Sequence, residues 1–357
     1  SKVVMNVDNK KETDLAYGGQ AIIEGIMMRS KDGYAFTVKK NDGSLYKEKH
    51  GYVALGKRVK FFGLPFIRGV AGFFENMKIG LNVLNKSAEI AYPEENEKKT
   101  SNVTMFITFA LALVVSMVIF VGIPNFTTSF FGKEIVEKNA LLFNLISGIT
   151  RLFLFFLYLV MISFMKDTKR LFGYHGAEHK TIHTYESDLE LTVENVKKSS
   201  RLHPRCGTSF IFIVFLITLF IFPFMDSFYV YEKWYLELPR IIQVLIRTLL
   251  HIGFGMPIVA GISYELLKLS GKFYKNFLVK ILVAPGLFFQ LFTTREPDND
   301  MIKVSIVSLN MVLGKETVET SRNVNEDFVH SNNTANIFTI FLILPIFMTK
   351  LILSDTD

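Results

Sequence analysis

One cysteine in 357 residues excludes any intramolecular disulfide framework. The first 60 residues lack an apolar run of signal-peptide length, so no cleaved targeting segment is expected there. Charge imbalance is small: Lys+Arg 40 against Asp+Glu 33 leaves +7, too little to indicate sequence-specific nucleic-acid binding. Acidic residues are absent from four long apolar runs, 103–124, 141–165, 208–224 and 241–264. Apolar residues, by contrast, are plentiful. Half the chain is hydrophobic, Phe alone contributes 35 residues and mean hydropathy is +0.30. That composition excludes disorder over most of the length and argues against a wholly soluble globular protein.

Each of the four runs approaches the ~20 residues needed to cross a bilayer. A fifth, 336–353, is shorter. Residues 276–292 are apolar but hold Lys280, Pro285 and Gln290, which suits a buried or re-entrant helix. Basic residues alternate across the runs: 17 before residue 102, two in 125–140, eight in 166–207, two in 225–240 and eight in 265–335. The positive-inside rule then places the N-terminus, 166–207 and 265–335 in the cytosol. The expected fold is all-α and polytopic, with four to five transmembrane helices, one amphipathic or re-entrant helix and a small N-terminal β-hairpin element. The expected organisation is a Gly-rich loop and hairpin over 1–60, an interfacial helix over 61–92 and a transmembrane core over 103–264. Cytosolic-side helices over 265–314, a polar linker over 315–335 and a C-terminal transmembrane helix over 336–353 follow.

Local signals support several elements. Asn41-Asp42-Gly43 between two strand-like runs predicts a hairpin over 33–50. Phe66, Val70, Phe73, Met77, Leu81 and Leu84 recur at three- and four-residue steps and predict an amphipathic helix over 66–84. Pro297 and Asp298 open a predicted helix over 299–313. No internal repeat is visible.

The chemistry concentrates in YHGAEHKTIHTYE, residues 174–186. On a helix, His175, His179 and His183 form a narrow stripe that also carries Glu186, with Glu178 to one side. His203 and Cys206 follow, and Thr192 caps a predicted short helix, 193–201, that would bring the two segments together. Imidazole, thiolate and carboxylate suit zinc, with a spare carboxylate as general base. Head-group or backbone hydrogen bonding by these histidines is the plainer alternative. A thiol nucleophile, Cys206 with His203, is another, but no orienting third group is evident.

GGQAIIEGIMMR (18–29), YHGAEHKTI..YE (174–186), HPRCGTSF (203–210) and PGLFFQLFTTREP (285–297), in this order, resemble the bacterial YqhQ-like family, DUF1385. The resemblance runs from Gly18 to about Leu313. It implies an integral membrane protein of the bacterial cytoplasmic membrane and a metal site at His175, Glu178, His179, His203 and Cys206, with His183 ranked below them. It names no reaction. It also directs attention to Glu24 as a base or ligand and to Arg29 as an anion grip. A glycine-rich turn under the hairpin is the alternative for that loop. Thr293, Thr294 and Arg295 suit either phosphate or a capped helix start.

Arg151 lies within the second run, and Gln243, Arg247 and His251 form a stripe in the fourth. Either an anion cavity or snorkelling to head groups accounts for them. The leading expectation is a zinc-dependent hydrolase acting on a lipid, lipid-linked or membrane-peptide substrate, with Glu178 or Glu24 as base. The competitors are a biogenesis or scaffold factor meeting ribosome, translocon or lipid through its basic surface, and an anion or lipid transporter. A homo-oligomer is compatible with all three.

Overall fold

The computed structural model describes residues 17–93, isolated positions between 111 and 127, 140–316 apart from 205, 230, 231, 274 and 275, and 321–323. Five strands, β1 Gly18–Ile22, β2 Gly25–Arg29, β3 Gly33–Lys39, β4 Leu45–Gly51 and β5 Ser321–Asn323, form one sheet in chain order. The first three pairings are antiparallel and β5 joins β4 in parallel. The helices are α1 Leu55–Arg58, α2 Ile67–Ala91, α3 Ala140–Ile162, α4 Lys166–Glu186, α5 Val193–Lys198, α6 Gly207–Asp226, α7 Lys233–Leu236, α8 Arg240–Leu250, α9 Met256–Lys272, α10 Phe277–Thr293 and α11 Asn299–Val312.

The predicted hairpin forms as β3 and β4, and the Asp42 carboxylate accepts the Ser44 amide in its turn. The stretch read as a Gly-rich loop is a second hairpin, β1–β2, turned at Ile23-Glu24. Alternation along the strands gives the sheet two apolar faces. Ile26 and Met28 face Tyr174 and Ala177 of α4 and Ile302 and Leu309 of α11. Met27, Tyr34, Phe36 and Val38 face Ile79 and Val83 of α2. The buried stripe of α2 is Gly69, Ala71, Ile79, Gly80, Val83, Ser87 and Ala91; of the predicted face, Phe73, Met77 and Leu81 are only half-buried and Leu84 packs at the edge of the sheet's core. Small residues win because the sheet comes close: a Cβ on Gly80 would lie 2.3 Å from Gln20 Oε1. Helix α11 forms as predicted, with Asp298 accepting the Met301 amide at 2.8 Å.

The all-α, polytopic expectation is overturned. A five-stranded sheet is present, and among the described residues only α6 is by itself long and apolar enough to cross a membrane. A bent pair, Gly148–Ile162 and Lys166–Glu186 at 99°, would make two if it counted as one span. The 241–264 run is cut by a π-helical segment, His251–Gly255, into two shorter helices. Residues 276–292 form the 17-residue α10. The 103–124 run lies largely, and the 336–353 run wholly, outside the described residues. The linker expected over 315–335 contributes β5.

Candidate metal centre

Helix α4 carries the histidine stripe, buried between the sheet and the segments after α5 and α10. Its approach to the post-α10 segment requires glycine. A Cβ on Gly176 would lie 1.9 Å from the Arg295 carbonyl oxygen, so any side chain would push the two backbones apart. That approach is used directly: His175 Nδ1 donates to the Thr293 carbonyl at 2.8 Å. His179 Nδ1 donates to the Arg201 carbonyl at 2.6 Å. A carbonyl only accepts, so both rings hold their proton on Nδ1 and leave Nε2 to face inward.

Both Nε2 atoms converge with Cys206 Sγ. The three donor atoms lie within 4.8 Å of one another, and His175 Nε2 is 3.3 Å from the sulfur. Glu178 Oε2 stands 3.9 Å from His175 Nε2 and 3.8 Å from His179 Nε2. Gly19 on β1 admits this carboxylate, since a Cβ there would meet Glu178 Cγ at 2.7 Å. Burial pushes the Cys206 thiol pKa up, but the neighbouring His175 and His179 hold it well below the ordinary value. Burial alone would lower the pKa of His175, but Cys206 and Glu178 raise it to about 9. With a metal in place of the His175 Nε2 proton, two imidazoles and a thiolate would point lone pairs inward, a donor set that fits the borderline-soft chemistry of zinc.

A cavity of about 930 Å³ reaches these residues. His175, Glu178, His179, His203 and Cys206 line it with Arg29, Lys31, Lys57, Arg68 and Glu75.

Other expected site residues stand outside the three-atom donor cluster. His203 is turned away from the donor cluster, its Nε2 3.1 Å from Glu186. Gln290 clamps the His203 backbone from both sides, accepting its N–H and donating to its C=O. His183 is buried on α4, and burial followed by the nearby His203 lowers its pKa. Glu24, at φ 49° in the β1–β2 turn, pairs with Arg170 and lies 3.3 Å from the Tyr174 hydroxyl, so it is not brought to the cluster. Arg29 sits over the Tyr52 ring at 4.8 Å. Thr293 and Thr294 donate to the Phe289 and Gln290 carbonyls, and Arg295 donates through one guanidinium nitrogen to the Ser163 carbonyl at 2.6 Å. Arg151 is buried. His251 Nε2 lies 2.9 Å from Asp226 Oδ1, an acid just beyond the third apolar run. Arg247 lies on α8, its side chain outside the described residues.

Sequence reasoning missed the carbonyls of Thr293 and Arg201, which any residue type could supply. It also missed the clamp by Gln290, whose only signal is an amide in an apolar run. Arg201 adds a second tie, its guanidinium donating to the Thr294 carbonyl.

A family model described as "Protein of unknown function (DUF1385)" matches residues 64–315. The "Uncharacterized protein YqhQ" of Bacillus subtilis (strain 168) is 33% identical over 328 residues, covering 87% of this chain and 96% of the relative. No solved structure matches.

Proposed function

This chain belongs to the DUF1385 family, and from that premise we propose that it is a zinc-dependent hydrolase seated in the cytoplasmic membrane by its apolar helices. Its substrate class is a lipid, a lipid-linked molecule or a membrane-embedded peptide. The observation that carries this reading is the convergence of His175 Nε2, His179 Nε2 and Cys206 Sγ within 4.8 Å at a 930 Å³ cavity. These three atoms would hold the metal, and the Thr293 and Arg201 carbonyls fix the rings for it. The ion, when bound, supplies a Lewis acid for a carbonyl or phosphoryl oxygen. Glu178 is the general base: its carboxylate faces both imidazoles and takes the proton of the attacking water. Arg29 and Lys57 on the same cavity wall attract negative charge on the substrate. Exposed Phe220, Phe224, Leu249 and Phe277 support the membrane seat.

A second reading rests on the 3.3 Å Cys206–His175 contact. The Thr293 carbonyl orients His175, which supplies the third group a thiolate nucleophile needs. Metal content of the detergent-solubilised protein separates the two. Near-stoichiometric zinc, lost in both His179→Ala and Cys206→Ala, supports the metalloenzyme; Glu178→Gln should keep the metal and lose turnover. Absence of metal from folded protein after zinc is offered overturns it. Iodoacetamide-sensitive, chelator-resistant turnover then selects the thiolate. Bound zinc with no hydrolysis of membrane lipids or peptides, and unfolding on chelation, points to a structural clamp in a scaffold.

A further inference from the structure

Residues 55–66, LGKRVKFFGLPF, carry three cations and no acid. Lys57, Arg58 and Lys60 are exposed, and so are Val59, Phe61, Leu64 and Phe66. Single exposed apolar residues need no explanation, but four within eight positions, interleaved with cations, form a patch. The segment is also a built object. Phe62 N–H donates to the Val59 carbonyl at 3.0 Å and Leu64 N–H to the Phe61 carbonyl at 3.3 Å. Gly63 packs on the Gly56 carbonyl so closely that a Cβ would sit 2.8 Å from that oxygen. The loop therefore closes on itself and turns Val59 and Phe61 outward.

Its base is anchored to α9. The Phe66 carbonyl lies against Gly261, where a Cβ would approach it to 2.9 Å. Phe66 is held at φ 66°, a conformation unfavourable for a bulky side chain. Just beyond it, Arg68 makes a bidentate pair with Glu265 at 2.8 and 2.6 Å. The other side of the loop is the cavity: Gly56, Lys57, Phe62 and Arg68 line the space that reaches His175 and Cys206.

We infer that residues 55–66 dock on an anionic lipid surface, so that the cavity opens onto lipid head groups. The charge pattern fits that occupant. Lys57, Arg58 and Lys60 meet phosphates while the four apolar tips enter the acyl boundary. Each cation near an anionic leaflet strengthens binding roughly fivefold. The inference rests on the hydrolase reading only for what becomes of the head group. It names the substrate class as an anionic lipid presented from the bilayer.

The test uses the full chain in nanodiscs of phosphatidylcholine with or without phosphatidylglycerol, with acyl chains plain or brominated. Trp234, the only tryptophan, is exposed on the short helix α7 between α6 and α8 and reports on that end of the apolar helices. The variant Phe61→Trp in a Trp234→Phe background reports on the loop. Brominated chains should quench the reporter at position 61 severalfold in phosphatidylglycerol discs. Replacing Lys57, Arg58 and Lys60 by Glu should remove most of that quenching. Metal content should be unchanged in every variant. An unquenched reporter at position 61 beside a quenched Trp234 overturns the inference and leaves the membrane seat standing. In that case blue-shifted emission would assign the patch to another segment of this chain, and red-shifted emission to water. If Trp234 is unquenched as well, the inference and the membrane seat fall together, while metal content still judges the catalytic site separately.

Discussion

Two parts of this molecule treat the same residue type in opposite ways. In the α/β part, Phe36 is 0% exposed, sandwiched between the sheet and α2. In the helical part, Phe220 on α6 is 67% exposed and Phe277 on α10 is 72% exposed. The α/β part buries its aromatics by closing two layers of helix over a sheet. The helical part packs through Phe156, Phe289 and Phe292 inside and leaves a comparable set of Phe and Leu outside. Water would penalise the second arrangement at roughly 25 cal/mol per Å² of apolar surface. On the membrane reading proposed above the two parts meet different surroundings, and the candidate metal centre lies where they join.

The largest test of that contrast is a matched pair. Phe36→Ala should cost about 3–5 kcal/mol in thermal unfolding of the detergent-solubilised protein, while Phe220→Ala should stay within about 0.5 kcal/mol. Equal losses would mean that Phe220 is packed against other side chains as Phe36 is, and the contrast would fall. Gly176→Ala attacks the seam between them. The new Cβ meets the Arg295 carbonyl, and the expected cost is about 3 kcal/mol with weakened zinc retention. Gly72→Ala, with open space around it, is the control and should be neutral or slightly stabilising.

The α/β part should also answer to acid. Burial works to raise the Glu48 pKa, but His50, Lys86 and Tyr46 outweigh it and bring the value from 4.5 to about 2. Glu48 is thus charged more readily in the folded chain. Its contribution is fully present above pH 4.5 and lost as pH falls toward 2. A melting-temperature series over that window should show a loss on the order of 2–3 kcal/mol, flattened in Glu48→Gln. The smallest effect is at a helix start: Asp298→Ala should cost about 1 kcal/mol by removing the cap on the Met301 amide. A native-like melting temperature in that variant would show that α11 is held by packing alone.

Some of this was legible from residues alone. The Asn41-Asp42-Gly43 turn, the caps Thr192 and Asp298, and the His175/His179 face of α4 are local signals, and each forms as predicted. Cys206 was singled out by type, and the chain does bring its sulfur to His175. The apolar runs misled where length was counted without breaks. One of them divides at His251–Gly255, where the hydrogen-bonding period changes just ahead of Pro257, which has no N–H to donate and was passed over when the run was counted. The buried face of α2 was misassigned because Gly69, Gly80 and Ser87 carry little hydropathy, although only small side chains let the helix approach its neighbours.

By itself, then, the sequence determined the family, the donor types and the register of three of them on one helix, because periodicity and capping act within a few residues. Tertiary structure decided which donors meet. It sent Glu24 to Arg170 and His203 to Glu186, and it aimed His175 and His179 inward through the carbonyls of Thr293 and Arg201. Those choices depend on backbone groups brought together from distant segments, and every residue type carries the same carbonyl.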